Sequence, residues 1–313
     1  MERDRLHAIN TSLYEDFQLL AFSGLQNVSY VLIFSILLMY LLCMSGNLII
    51  IVTVWATPQL HTPMYFFLCN LSTLDMAYVS TILPKFLDFQ ITGKTEISFI
   101  SCFTQLFMSV ACLCTEFLLL SSMAFDRFVA ICIPLQYSII MNKTACIILS
   151  ITPWTIGALN SLVCVFLISH LSFCSSKHIF HFYCEIKALL ATSCSDIRHV
   201  NIVILSEGYT LGIIAFAMIL MSYVFIISAI LKIKTSARRL KIFSSCSSHL
   251  TVVLLFCGCS LSIYMNPDSK GSTELDMMLS LLYVAVVPAL NPLVYSLRNK
   301  EVLDVLKIHR LIS

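Results

Sequence analysis

Seven long apolar runs constrain what this chain of 313 residues can fold into. A helix that crosses the hydrocarbon core of a bilayer needs about 20 mostly apolar residues, and each run reaches that length. The runs are Ser29–Trp55, Met64–Leu87, Ser98–Ile133, Thr144–Ser169, Asn201–Leu231, Ser244–Met265 and Leu275–Leu297. Only 12% of the residues are charged, against about 25% in a typical soluble domain. The sequence therefore predicts an all-α membrane protein, a seven-transmembrane helix bundle.

Three segments are expected around this bundle. Residues 1–28 are predicted to form an extracellular N-terminal tail, residues 29–297 the seven-transmembrane domain, and residues 298–313 a cytosolic C-terminus. The tail has no cleavable apolar segment, so we expect the first run to act as an uncleaved anchor. Asn10 begins a glycosylation sequon and is the predicted glycan site. The last segment mixes apolar and charged residues, which predicts a short amphipathic C-terminal helix on the inner leaflet.

Basic residues predict the orientation. Cytoplasmic loops of membrane proteins are enriched in Lys and Arg, and a basic cluster follows the fifth run. The cluster comprises Lys232, Lys234, Arg238, Arg239 and Lys241. With seven crossings, it places the N-terminus outside the cell and the C-terminus in the cytosol. The chain has no Lys/Arg-rich block of the kind that binds nucleic acid, so no nucleic-acid partner is expected.

Four cysteines lie on the predicted outer face. Cys102 opens the third run, and Cys174, Cys184 and Cys194 lie in the loop between the fourth and fifth runs. Disulfides persist in oxidising compartments such as the cell exterior. Four cysteines allow two bridges in three pairings, and the residues alone do not select one.

Acidic residues in the runs are candidates for function, because ionisable groups within a membrane are costly and usually functional. Asp75 and Glu116 lie deep in the second and third runs, and Asp126 precedes Arg127 near the end of the third. Taken alone, the last pair is either a switch or a salt bridge that anchors the helix.

A transporter or channel is one rival class, but no internal repeat is visible. An intramembrane hydrolase is another, but no nucleophile-elbow or zincin motif occurs, and we expect no enzyme and no catalytic residue.

Sequence motifs carry a family resemblance across all seven runs. They are Gly46-Asn47, LHTPMYFFLCNLSTLD at Leu60–Asp75, MAFDRFVAIC at Met123–Cys132, PLQY at Pro134–Tyr137, Ser222-Tyr223, KIFSSCSSHL at Lys241–Leu250 and PALNPLVYSLRN at Pro288–Asn299. In this order they resemble the odorant receptors, a family of rhodopsin-like G-protein-coupled receptors. The chain departs from the family pattern at Phe125, Phe128, Ile242 and Cys257.

The resemblance implies a function and a location. The protein is expected to be a multi-pass receptor of the plasma membrane, surrounded by lipid, that serves the sense of smell. It would bind a small organic odorant in the outer half of the bundle and activate a stimulatory heterotrimeric G protein, which raises cAMP. No cofactor is implied apart from a structural Na⁺.

The resemblance also implies a switch at the cytosolic end. Its residues are Asp126, Arg127, Tyr223, His249, Asn291, Pro292 and Tyr295. An ion pair would hold Arg127 inward at rest, and outward movement of the sixth span would free it for the G protein. Each role has an alternative without switching. Asp126–Arg127 would be a salt bridge that anchors the helix, Pro292 would form a kink that serves packing, and His249 would be a neutral interior ring with its hydrogen bonds made.

A sodium site is implied around the two buried acids. Asp75 and Glu116 would hold the ion with oxygen atoms of Asn47 and Asn291, because Na⁺ requires oxygen ligands. The alternative is a proton shared between the two carboxyls, which also lowers the buried charge. No other metal is expected, because His170, His178 and His181 lack tight ligand spacing with the loop cysteines.

Similarity to the superfamily selects the ligand-binding positions. They are Ser109, Val110, Leu113, Cys114, Glu207, Leu211, Cys257, Ser260, Leu261, Tyr264, Leu281 and Val284. Glu207 would favour a ligand with a cation or a hydrogen-bond donor; otherwise it reaches the outer water or pairs with Lys187 or Arg198. The family's loop pattern around His181 implies a Cys102–Cys184 disulfide, which leaves Cys174–Cys194 as the second.

Overall fold

The computed structural model describes residues 16–21, 29–173, 177–264 and 274–297. Within them, every predicted run forms a helix, which confirms the predicted seven-helix bundle. The helices are α1 Ser29–Ala56, α2 Pro63–Thr92, α3 Phe99–Cys132, α4 Lys143–Ser169, α5 Arg198–Leu231, α6 Ser236–Tyr264 and α7, which comprises Glu274–Leu281, a π-helical turn Leu282–Val286 and Val287–Leu297. Short helical segments at Pro58–Leu60, Pro134–Gln136, Tyr137–Ile140 and Ile186–Thr192 lie between them. The predicted glycan site Asn10 and the predicted C-terminal helix of residues 298–313 lie outside the described residues.

Six of the described helices are long and apolar enough to cross a membrane. The exception is α6, whose apolar stretch is the shorter Cys246–Ser260. Its first turns carry Arg238, Arg239 and Lys241 of the basic cluster, so only the later part of α6 suits the hydrocarbon core. α1 and α5 leave many large apolar side chains on the outside of the bundle, including Phe34, Leu48 and Ile213. Such a surface suits lipid as the solvent.

Local sequence signals fix several helix ends. The Ser98 side chain caps α3 by accepting from the Ser101 N–H at 3.2 Å, and Asn142 caps α4 by accepting from the Ala145 N–H at 2.9 Å. Ser and Asn are favoured at this position because they satisfy a free N–H of the first turn. α2 ends at Gly93, whose φ of 71° lies in the left-handed region that glycine adopts without strain.

Close helix contacts set the bundle geometry at two glycines. A Cβ on Gly157 of α4 would lie 2.7 Å from the Ala111 carbonyl oxygen of α3, and it would also collide with Thr115. A Cβ on Gly46 of α1 would lie 2.9 Å from Cγ of Pro292 in α7. Small residues allow membrane helices to approach this closely.

Hydroxyl groups on α3 repair the break that a proline makes in α4. Pro153 has no N–H, so it cannot donate to the carbonyl of Leu149 one turn earlier. The Ser122 hydroxyl donates to that carbonyl at 3.0 Å, and the Thr115 hydroxyl donates to the Pro153 carbonyl at 3.3 Å. α3 and α4 are therefore joined by hydrogen bonds as well as by packing.

A small sheet covers the end of the bundle at which α3 begins. Its central strand β1, Phe17–Leu19, pairs antiparallel with β2, Glu96–Ile97, and parallel with β3, His178–Ile179. Phe17 and Leu19 are fully buried. This sheet was not predicted from the sequence. Its strand β1 lies in the segment that was expected to be part of the N-terminal tail.

The Cys102–Cys184 disulfide joins the start of α3 to the loop before α5. This confirms the predicted pair. Cys194 is also disulfide-bonded, but its predicted partner Cys174 lies outside the described residues. The bridge holds the loop that carries β3 against the N-terminal end of α3.

Candidate functional site

A cluster of buried polar groups lies between α2, α3 and α7. Asp75 and Glu116 are both inaccessible to solvent and close enough to repel each other electrostatically. The Asn291 side-chain amide donates to Oδ2 of Asp75 at 3.0 Å, and the Tyr283 hydroxyl donates to Oε2 of Glu116 at 3.4 Å. The fold therefore brings both predicted acids together and places donors from α7 beside them.

Four buried side-chain oxygen atoms on α1, α2 and α3 have no hydrogen-bond partner among the described residues. They are Asn47 Oδ1, Ser72 Oγ, Asp75 Oδ1 and Glu116 Oε1. The Asn47 amide donates to the Cys43 and Pro288 carbonyls at 3.0 and 3.3 Å, so its oxygen is left for another group. Buried polar atoms are normally satisfied. Carboxylate, amide and hydroxyl oxygens together make a donor set that fits a hard cation.

At the C-terminal end of α3, Asp126 is held from two sides. Its Oδ1 accepts from the Tyr137 hydroxyl at 2.8 Å, and its Oδ2 lies 3.6 Å from Nε of Arg127. Asp126 is buried, whereas Arg127 is partly exposed. The pair predicted from the sequence is present, and the short helix after α3 adds a third member.

His249 joins α6 to two neighbouring helices. Its Nε2 lies 3.1 Å from the Leu120 carbonyl oxygen of α3, and its Nδ1 lies 2.8 Å from the Tyr223 hydroxyl of α5. A carbonyl only accepts hydrogen bonds, so Nε2 carries a proton, and in the neutral ring Nδ1 accepts from Tyr223. His249 is fully buried. We name this arrangement the His249 bridge.

The C-terminal half of α7 supplies the remaining predicted switch residues. Pro292 packs against Gly46 of α1, and Asn291 is the donor to Asp75. The Tyr295 hydroxyl is buried, without a hydrogen-bond partner in the described part of the chain, and close enough to Arg127 and Tyr223 to interact electrostatically. α7 thus reaches from the acidic cluster to the Asp126–Arg127 pair.

The predicted ligand-binding residues lie on four helices. Ser109 and Val110 are buried on α3, while Leu113, Cys114, Leu211, Cys257, Ser260 and Leu281 are half-buried and Val284 is fully buried. One apolar cluster contains Leu113, Cys257, Leu281 and Val284. Val110 belongs to a second cluster, which also contains Phe17 and Leu19 of β1. Leu261 and Tyr264 are in the last turns of α6, where the structure describes the backbone alone.

Glu207 is half-buried on α5 and lies close to Cys164 of α4. Its Oε2 is buried and has no hydrogen-bond partner within the described ranges. Arg198, one of its two predicted alternative partners, is 3.9 Å from Asp196 instead. The carboxylate is therefore available to a donor that enters between the helices.

Comparison with known proteins decides the family. The family model described as olfactory receptor matches residues 36–312. Olfactory receptor 8I2 of Homo sapiens is 43% identical over 94% of this chain and 95% of its own length. Olfactory receptor 1G1 of Gorilla gorilla gorilla is 42% identical over 94% of each chain, and olfactory receptor 7C1 of Homo sapiens is 40% identical over 93% of this chain and 91% of its own. The chain belongs to the olfactory receptor family.

Membership makes this olfactory receptor a rhodopsin-like G-protein-coupled receptor and a multi-pass membrane protein. The family points to a receptor and not to an enzyme. Odorant recognition and coupling to a G protein are therefore its general function.

Three contributors to the receptor's polar sites were missed from the sequence. Ser72 lies one helical turn before Asp75, a spacing that places both on one face of α2. Tyr137 ends the PLQY motif, which was recognised but given no role. Tyr283 shows no sequence signal for its contact with Glu116, because that contact depends on how α7 packs against α3.

Proposed function

We propose that this receptor binds a small organic odorant in the outer half of the bundle and activates a stimulatory heterotrimeric G protein, which raises cAMP. We further propose that the N-terminus is extracellular and the C-terminus cytosolic. The observation that carries the proposal is the His249 bridge, which joins α6 to α3 and α5. The bridge lies between the predicted ligand residues and the Asp126–Arg127 pair. α6 can therefore move away from α3 and α5 only if the hydrogen bonds of His249 break.

The lining proposed for the ligand is mostly apolar, which favours a volatile or modestly polar molecule. Such sites use a few polar groups to orient the ligand. The Ser260 hydroxyl is buried without a partner among the described residues, and Glu207 offers a carboxylate oxygen. A ligand with an amine or hydroxyl donor suits both groups.

Activation is proposed to be a shift between two populations. The described arrangement, with Arg127 beside Asp126 and α6 bonded through His249, is the resting one. Each of the two hydrogen bonds of His249 contributes about 1 kcal/mol, so a ligand that prefers the open bundle by a few kcal/mol changes the populations strongly. In the open state Arg127 would meet the G protein.

A sodium ion is proposed to stabilise the resting state. Asn47, Ser72, Asp75 and Glu116 would hold it through the four oxygens that lack partners among the described residues. The ion would offset the repulsion between the two carboxylates. The amide nitrogen of Asn291 donates to Asp75 and so orients that carboxylate, while its amide oxygen stays a proposed ligand of the ion. A shared proton is the competing explanation.

The test is a screen of volatile alcohols, aldehydes, esters and amines in cells that report cAMP. A response of the wild-type receptor that is lost in Arg127→Ala, with normal surface expression, supports the proposal. Arg198→Ala, an exposed arginine on the outer side, is the matched control and should respond normally. Purified receptor should also accelerate GTP loading on a stimulatory α subunit more than on an inhibitory one, and a transporter would accelerate neither.

A further inference from the structure

The π-helical turn in α7 places Tyr283, a residue without a predicted role, between the predicted ligand residues and the acidic cluster. Residues Leu282–Val286 form this turn within an otherwise α-helical span. π turns are rare and often occur at functional sites. Tyr283 lies in the turn and is almost completely buried.

Tyr283 contacts three other helices. Its hydroxyl donates to Glu116 of α3. Its ring centroid lies 6.0 Å from that of Tyr78 in α2 and 5.7 Å from that of Phe256 in α6. Phe256 in turn lies 4.9 Å from Phe117 of α3, in an edge-to-face arrangement. The ring therefore packs against α2 and α6 while its hydroxyl bonds to α3.

The turn also carries a predicted ligand contact. Val284 follows Tyr283 directly, and Leu281 immediately precedes the turn. A π turn contains one residue more than an α turn, so its conversion to an α turn rotates the side chains on one side relative to the other. A molecule packed on Leu281 and Val284 that changes this turn therefore also moves the Tyr283 hydroxyl.

We propose that Tyr283 is a positioning residue that couples the ligand site to the buried carboxylates. At rest its hydroxyl holds Glu116 beside Asp75, and ligand-driven rearrangement of the turn withdraws it. The inference rests on the proposed function, because it specifies how that site is regulated. It assigns the coupling to one hydroxyl group and one carboxylate.

A double-mutant cycle tests this coupling. Tyr283→Phe removes the hydroxyl and keeps the ring contacts with Tyr78 and Phe256. Receptor in lipid nanodiscs is assayed for GTP loading on a stimulatory α subunit, without ligand and with the strongest agonist of the volatile panel. Loss of one hydrogen bond that stabilises the resting state should raise basal loading about fivefold and lower the half-maximal agonist concentration by a similar factor.

The cycle is completed with Glu116→Leu, which removes the acceptor, and Tyr209→Phe is the matched control. Tyr209 is an exposed residue of α5 and should behave as wild type. The double variant should match Glu116→Leu alone, because leucine has no oxygen to accept from the hydroxyl and the bond is already absent in that variant. A merely structural tyrosine would give additive effects.

Several outcomes overturn the inference. Wild-type basal loading and potency in Tyr283→Phe, or additive effects in the double variant, contradict it while leaving the proposed function intact. If wild-type receptor loads no nucleotide on any α subunit, the proposed function and the inference both fail. If Tyr283→Phe does not fold, Glu116→Asp tests the same bond by shortening the carboxylate side chain; unchanged basal loading in that variant refutes the coupling.

Discussion

The hydroxyl of Tyr223 lies 2.8 Å from Nδ1 of His249, and the two rings lie within 7° of parallel. On its other side the imidazole reaches the Leu120 carbonyl. Three helices therefore meet at one buried ring. This geometry suits both an interior histidine that only makes its hydrogen bonds and a histidine that acts as a switch. Replacing the ring should raise basal signalling only if it is a switch.

Replacing His249 with Leu should raise ligand-independent signalling. The variant loses two hydrogen bonds that stabilise the resting position of α6, each worth about 1 kcal/mol. Basal GTP loading should therefore rise about tenfold or more. His170→Leu, at the exposed end of α4, serves as the control. Basal loading at the wild-type level in His249→Leu would show that the ring is only an interior packing group.

Gly157→Ala should reduce folding and surface delivery. Its Cβ would meet the Ala111 backbone carbonyl at 2.7 Å, and a backbone atom cannot turn aside as a flexible side chain does. We expect a loss of about 1–3 kcal/mol in unfolding free energy, measured as a lower melting temperature in nanodiscs. Gly208→Ala is the matched control, because no atom lies within 4 Å of its added Cβ. Equal melting temperatures for the two variants would contradict the close α3–α4 contact.

Much of the bundle was predictable from the sequence, because the length and hydropathy of a run are enough to specify a membrane helix. The first run, Ser29–Trp55, differs from α1 by one residue at its end. Short-range caps such as Ser98 and Asn142 are also local signals. The acids Asp75 and Glu116 were identifiable because charge within an apolar run is rare.

The missed features depend on contacts between distant segments. β1, β2 and β3 have only two or three residues each, too few for an alternating pattern to emerge. They form because the Cys102–Cys184 bridge and the outer ends of the helices bring three segments together. The contact of Tyr283 with Glu116 likewise requires the packing of α7 against α3, which no local pattern specifies.

Acidification should destabilise the loop between α4 and α5 through His181. This residue is fully buried, and its Nε2 lies 3.8 Å from Oε2 of Glu185. Burial lowers the pKa of His181 below its usual value of 6.5, although the charges of Glu185 and Asp276 oppose the shift. The unfolded chain therefore binds a proton more readily than the folded protein. This contribution to stability is complete above pH 6.5 and is lost as the pH falls toward the lowered pKa.

Melting temperatures in nanodiscs at pH 7.5 and pH 5.0 measure this effect. The fall on acidification should be smaller in His181→Gln than in wild type, since glutamine does not titrate. His61→Gln, an exposed histidine before α2, should keep the wild-type fall. An identical fall in all three proteins would rule out His181 as the titrating group.

Sodium should stabilise the receptor through the oxygens of the acidic cluster. The melting temperature should be higher in sodium chloride than in N-methylglucamine chloride of equal ionic strength, because only the small cation can bind between Asp75 and Glu116. Asp75→Asn should abolish the difference, and Ser72→Ala should weaken the apparent sodium affinity. Thr73→Ala changes a neighbouring hydroxyl that already bonds to the Cys69 carbonyl, and it should leave the sodium response unchanged. If wild type melts at the same temperature in both salts, the two carboxyls share a proton instead, and stability should then depend on pH and not on the cation.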